Sequence, residues 1–146
     1  MQIRIKLLNE HAIVPVQREG DAGADLHATH DVTVLPHSVA QVDFAVAFEL
    51  PEGMAGLVKS RSGHARAGHL VETGLVDSSY RGPVGATLHN ATMWPWVVKR
   101  GDRVAQLVVI PAPRVTFDPC TELSETERGV KGFGSSGTGR MPGNGG

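Results

Sequence analysis

A chain of 146 residues is the usual size of one domain and is long enough to bury a core. Apolar residues at 40% and charged residues at 20% are ordinary for a globular protein, and with a formal net charge of −1 nothing advertises a general nucleic-acid or membrane surface. The single Cys120 excludes an internal disulfide and a Cys-rich zinc site, no run approaches a membrane span, and MQIRIKLLNEHAIV is too polar for a signal peptide, so the expected location is cytoplasmic, or a host's cytoplasm for a virus-encoded chain.

In chain order, the pattern is of short strands separated by turns. Ile3, Ile5 and Leu7 alternate as a first strand. A polar loop through Gly20-Asp21 leads to Ala22-Gly23-Ala24-Asp25-Leu26, where small residues let backbones approach closely beside an acid. Val32 to Leu35 reads as a strand closed by Pro36. From Val39 to Leu50 the even positions Ala40, Val42, Phe44, Val46, Phe48 and Leu50 are all apolar, a period of two. Met54 to Lys59 continues as strand, and residues 60–67 form the one convincing helix, opened by Ser caps. Leu70-Val71 and Leu75-Val76 suggest a hairpin near Gly74. Val84, Ala86 and Leu88 alternate again. The Val104 to Ile110 run is apolar on both faces apart from Gln106, which predicts burial on both sides, against another subunit on one of them. The 18 Gly and 9 Pro that punctuate these runs point to a sandwich, jelly roll or barrel. The expected division is a β domain over residues 1–127 and a mobile, Gly-rich arm over 128–146, too poor in apolar residues to fold alone.

Five segments carry chemistry. Arg61-Ser62-Gly63 offers a guanidinium, a hydroxyl and free N–H groups, the parts of an anion site, although a helix cap beside a solvated Arg would look the same. Asp77 is either a turn-former or a carboxylate that polarises water, with Tyr80 a flat face nearby. Gln106, isolated in an apolar strand, needs partners from backbone or ligand. Arg128 with Gly132 to Gly137 combines a cation, the Phe133 ring and backbone donors, which suits either a base with phosphates or a plain Gly/Ser linker. His27, His30 and Asp31 lie in a strand and turn, where their spacing does not converge on a metal.

Together, and in this order, AGADLHA (22–28), KSRSGHARAG (59–68), GLVDSSYRG (74–82), GDRVAQLVV (101–109) and RGVKGFGSSG (128–137) closely resemble the five motifs of the homotrimeric dUTPase family. The resemblance implies an all-β, jelly-roll-like β-barrel with one short helix, a homotrimer with active sites at subunit interfaces, and hydrolysis of dUTP to dUMP and pyrophosphate with Mg²⁺. It gives Asp77 the role of activating water at the α-phosphorus, and Tyr80 that of packing beneath the deoxyribose and excluding a 2′-hydroxyl. Leu70, Val71, Gly74 and Val76 fall in the segment that reads uracil, with Phe133 and Gly134 over the base. Arg61, Ser62, Gly63, Gln106, Arg128, Ser135 and Ser136 match phosphate ligands, and Asp25 an acid holding magnesium waters. The metal is then carried mainly by substrate phosphates, as Mg²⁺ keeps waters rather than entering a protein cage.

The chain departs from the family's usual residues at His64, Arg66, Glu72, Lys131 and Ser136; Lys131 is expected to add modest phosphate attraction. Two other functions fit the same frame. A dCTP deaminase would need a Glu near Thr87, where Val84 to Asn90 holds no acid. A nucleotide-sensing protein without catalysis would lack residues that are all present here.

Overall fold

A computed structural model describes residues 1–130. The first compact unit, Met1–Arg114, contains every strand and the helix among these residues. Ten antiparallel strands run β1 (Arg4–Leu7), β2 (Ala24–His27), β3 (Val32–Val34), β4 (Ser38–Glu49), β5 (Met54–Ser60), β6 (His69–Glu72), β7 (Leu75–Asp77), β8 (Val84–Asn90), β9 (Trp96–Val98) and β10 (Arg103–Pro111), with α1 (Ser62–Arg66) between β5 and β6. They form two four-stranded sheets, ordered β1-β4-β8-β6 and β2-β10-β5-β7, and a small β3-β9 sheet. The all-β, jelly-roll-like architecture expected from sequence is present, although the hydrogen-bonded sheets do not close into a barrel. The second unit, Val115–Gly146, holds no helix or strand over its described part, and Cys120 there is exposed.

One apolar cluster draws on all three sheets: Val42, Phe44 and Leu88 from the first, Leu26, Val58 and Leu107 from the second, Val34 and Val98 from the third. Strong alternation makes β4 the spine, as its even positions predict. Between Asp43, opposite Gly85, and Val46, opposite Val84, Phe44 and Ala45 bulge out of register. Two extra residues preserve the period of two, so Val42, Phe44, Val46 and Phe48 all stay inside. Ala45 takes a φ of 50°, and its N–H donates to Asp43 Oδ1 at 2.7 Å. Gly85 lies opposite because a β-carbon there would approach the Val42 carbonyl to 2.7 Å.

Three local expectations are corrected. The Leu70–Leu75 region is not a paired hairpin: β6 pairs with β8 and β7 pairs with β5, so the chain crosses between sheets at Thr73-Gly74. Val71 and Val76 are both buried, and that burial is better satisfied by joining two sheets than by pairing with each other. The helix has Arg61 at its N-cap with no side-chain cap bond. Ser60 is unavailable for that role because its hydroxyl accepts the Val71 N–H at 2.7 Å. In β10, Val104, Ala105 and Leu107 are buried, whereas Val108, Val109 and Ile110 are only partly covered within one chain.

Candidate active site

The expected site residues fall into two groups. The first surrounds Asp77, the last residue of β7, where the chain leaves the sheet in a tight turn: the Tyr80 N–H donates to the Asp77 carbonyl at 3.1 Å. The turn opens on a cleft of about 190 Å³ lined by Thr73, Gly74, Val76, Asp77, Tyr80 and Gly85, among others. Tyr80 is held by donating its hydroxyl to the Pro83 carbonyl at 3.0 Å, with its ring against Gly82. A β-carbon on Gly82 would overlap that ring, with Cζ only 2.6 Å away. Of the residues expected to read uracil, Gly74 and Val76 line this cleft; Leu70 and buried Val71 stand on β6 in the other sheet.

The carboxylates of four aspartates of the sheets and their loops are engaged, whereas that of Asp77, like those of Asp21, Glu52 and Glu72, is not. Asp25 holds two guanidiniums, Asp31 holds Lys99 and the Arg100 N–H, Asp43 the Ala45 N–H, and Asp102 the Lys99 N–H. Among the described residues the exposed Asp77 carboxylate has no hydrogen-bond or ion-pair partner. It is free to accept a proton from water.

The second group centres on Asp25. Its Oδ1 accepts from Arg61 Nε at 2.9 Å and its Oδ2 from Arg103 at 3.2 Å. Arg61 also reaches the Arg103 carbonyl at 3.4 Å, and His64 Nε2 lies 3.1 Å from the same oxygen. Because a carbonyl only accepts, His64 carries its proton on Nε2. Gln106 is satisfied by backbone, donating to the Ser60 carbonyl at 3.2 Å. Gly23 leaves room beside it, since a β-carbon there would come within 2.7 Å of Gln106 Oε1 and push the amide aside. Ser62 and Gly63 begin α1 and are exposed. Burial holds the neighbouring His27 imidazole below its ordinary value, Asp25 opposing and Arg103 and Arg61 reinforcing the shift.

Arg103 and Arg81 fall within two of the five segments, but the sequence assigns neither a role. In the second unit, Arg128 is exposed. Lys131, Phe133, Gly134, Ser135 and Ser136 lie outside the described residues. No acid occupies the Thr87 position that deamination would need; Thr87 accepts a hydrogen bond from Gln41 at 2.9 Å.

A profile of the dUTPase family matches residues 9–137. The chain belongs to the dUTPase family. Its curated relatives include the deoxyuridine 5′-triphosphate nucleotidohydrolase of Picosynechococcus sp., 37% identical over 94% of this chain and 100% of that one. That of Cutibacterium acnes is 43% identical over 84% of each. Among solved structures, a variant dUTPase of phage 80alpha superposes with a TM-score of 0.87 at 29% identity, covering 92% of this chain and 98% of that chain. Another from Staphylococcus bacteriophage 80alpha, solved with dUpNHpp, gives a TM-score of 0.83 at 30% identity over 93% and 98%. A dUTPase of phage phi11, 25% identical with a TM-score of 0.80, carries a structural Mg(II) ion. As a family member the chain is a hydrolase, a dUTP diphosphatase.

Magnesium would find no ready protein cage: among the described residues no three His, Cys, Asp or Glu side chains gather to hold a metal. Asp25 nevertheless fits an outer role. Each of its oxygens has one guanidinium partner and a second lone pair open to a metal-bound water. No helix among the described residues is long and apolar enough to cross a membrane.

Proposed function

We propose that the chain hydrolyses dUTP to dUMP and pyrophosphate, with Asp77 taking a proton from the water that attacks the α-phosphorus. The water oxygen bonds to phosphorus, the bond from the α-phosphorus to the bridging oxygen breaks, and pyrophosphate leaves with that oxygen. The observation that carries the reading is the unpartnered Asp77 carboxylate, one turn from Tyr80 at the mouth of a cleft. Tyr80 supplies the face beneath the sugar, and Gly74 and Val76 the wall toward the base. The product dUMP is a precursor for thymidylate, and removing dUTP limits uracil in DNA. Cytoplasmic action suits a chain whose one cysteine is free.

Arg61, Ser62, Gly63 and Gln106 are the phosphate ligands in this scheme, joined by Arg128, Ser135 and Ser136 of the fifth motif, with Phe133 and Gly134 on the base. Mg²⁺, held mainly by the phosphates, with Asp25 on its waters, would neutralise charge on the triphosphate. The protein's own part is positioning and charge stabilisation.

One chain does not complete such a site. Asp77 lies level with Ala55 on β5, whereas Asp25 and Gln106 lie level with Lys59 and on the far side of β5. At about 3.3 Å per residue and 4.8 Å per strand, the Asp77 and Asp25 backbones stand roughly 20 Å apart. A base and the groups binding the phosphate it acts beside cannot be separated so far. We therefore place the site between subunits of a homotrimer. The partly covered Val108 and Ile110, with Leu57 and the 60%-exposed Leu75 on the same outer sheet face, offer apolar surface for assembly.

Pyrophosphate release from dUTP, dCTP, dTTP and UTP with Mg²⁺ tests the reaction. Wild type should turn over dUTP far faster than the others. Asp77→Asn should lose activity by about a thousandfold or more while still binding dUTP. Tight dUTP binding by wild type without cleavage would overturn the reading in favour of a nucleotide sensor.

A further inference from the structure

Tyr80 is 44% exposed, so burial does not hold its ring in place. Its hydroxyl is anchored on the Pro83 carbonyl at 3.0 Å, and the backbone that carries it is set by a turn around which Arg81 is wrapped. One terminal nitrogen of Arg81 donates to the Ser78 carbonyl at 2.6 Å and to the Tyr80 carbonyl at 2.9 Å. Those carbonyls belong to the peptide planes on either side of Ser79-Tyr80, and two rigid planes tied to one nitrogen leave the turn little freedom. The other terminal nitrogen lies 4.0 Å from Glu49 Oε1, and Glu49 Oε2 takes Arg4 at 3.0 Å. Glu49 ends β4 and is directly opposite Arg4 in the β1–β4 ladder, so the guanidinium faces the end of the spine of the fold.

We propose that Arg81 is a positioning residue for sugar selectivity: by locking the Ser78–Tyr80 carbonyls it holds the Tyr80 ring where a ribose 2′-hydroxyl would clash. This rests on the reading of Tyr80 as the sugar platform. An apolar face rejects an added hydroxyl only modestly, so that rejection depends on the face holding its position. A direct role on phosphate does not fit, because one nitrogen already serves two carbonyls and the Glu49 carboxylate beside the other would repel an anion. The same geometry fixes Asp77, since the Tyr80 N–H is tied to the Asp77 carbonyl.

The test is the ratio of kcat/KM for dUTP over UTP in wild type, Arg81→Met and Arg81→Lys. Met keeps the length of the side chain without a donor. Lys keeps one nitrogen able to donate to both carbonyls. The ratio should fall about tenfold in Arg81→Met, mainly through better use of UTP, and stay within about threefold of wild type in Arg81→Lys. A general structural defect would slow both substrates alike and leave the ratio unchanged, and an unchanged ratio overturns the proposal while leaving dUTP hydrolysis intact. If wild type fails to cleave dUTP, the functional reading falls, and the dUMP-to-UMP affinity ratio by calorimetry decides for Arg81: loss in the Met variant supports it, constancy or binding of neither nucleotide overturns it. Should Arg81→Met not fold, Glu49→Gln leaves the turn's sequence intact and should lower the same ratio to a smaller extent; no change would again overturn the proposal.

Discussion

Asn90 illustrates how much one buried amide can organise. At 2% exposure, its Nδ2 donates to the carbonyls of Val34, Leu35 and Trp94, and its Oδ1 accepts from the Thr92 N–H and hydroxyl. It thus ties the ends of β3 and β8 to the loop leading into β9. Asn90→Ala strands several of these groups without partners and should destabilise the fold by about 2–3 kcal/mol, measured by urea denaturation. A loss below half a kcal/mol would mean that water replaces the amide. Nothing in the sequence marks Asn90, because two of its acceptors stand more than fifty positions earlier in the chain. Arg81 escapes sequence reading for the opposite reason: its acceptors are its own neighbours, and only the path of the turn turns them toward it. Asp77 and Tyr80 can be singled out as candidates because the segment that carries them is local.

Among elements, the strands with a clean period of two, β4 and β8, stand where alternation predicts. Alternation cannot say which sheet a strand joins, and so β6 and β7, adjacent in sequence, part company. The three-residue β9 is too short for a periodic signal, yet it matters: Trp96 is 5% exposed and stacks on His69 of β6 at 4.4 Å with the rings within 1° of parallel. Burial lowers the His69 pKa below its ordinary 6.5, and the nearby His64 lowers it further. The folded state therefore resists a proton that the unfolded chain accepts. Below the unfolded value the unfolded state binds more protons, so stability falls as pH drops through this window, and the loss is complete once the folded His69 is itself protonated. His27 acts in the same direction, so the contribution of His69 is a difference. The fall in Tm between about pH 7 and pH 5 should be smaller in His69→Phe, which keeps the stack, than in wild type. Equal falls in a thermal scan would remove His69 from the account.

For the whole molecule, the division of the site residues predicts complementation. Asp77→Asn and Arg61→Ala should each be inactive alone. After joint unfolding and refolding in equal amounts, about a quarter of all sites in the proposed homotrimers, one in each mixed trimer, would combine an intact Asp77 from one chain with an intact Arg61 from another, restoring activity to that extent. Inactive mixtures would place both residues of a site in one chain. The double bulge in β4 also governs how such a molecule can change in length. Removing one residue between Asp43 and Val46 would turn Phe44 or its successor outward and present every following apolar side chain of the spine to water. Removing or adding two would leave inside and outside as they are. At this point in the chain, evolutionary insertions and deletions are expected to survive only in pairs.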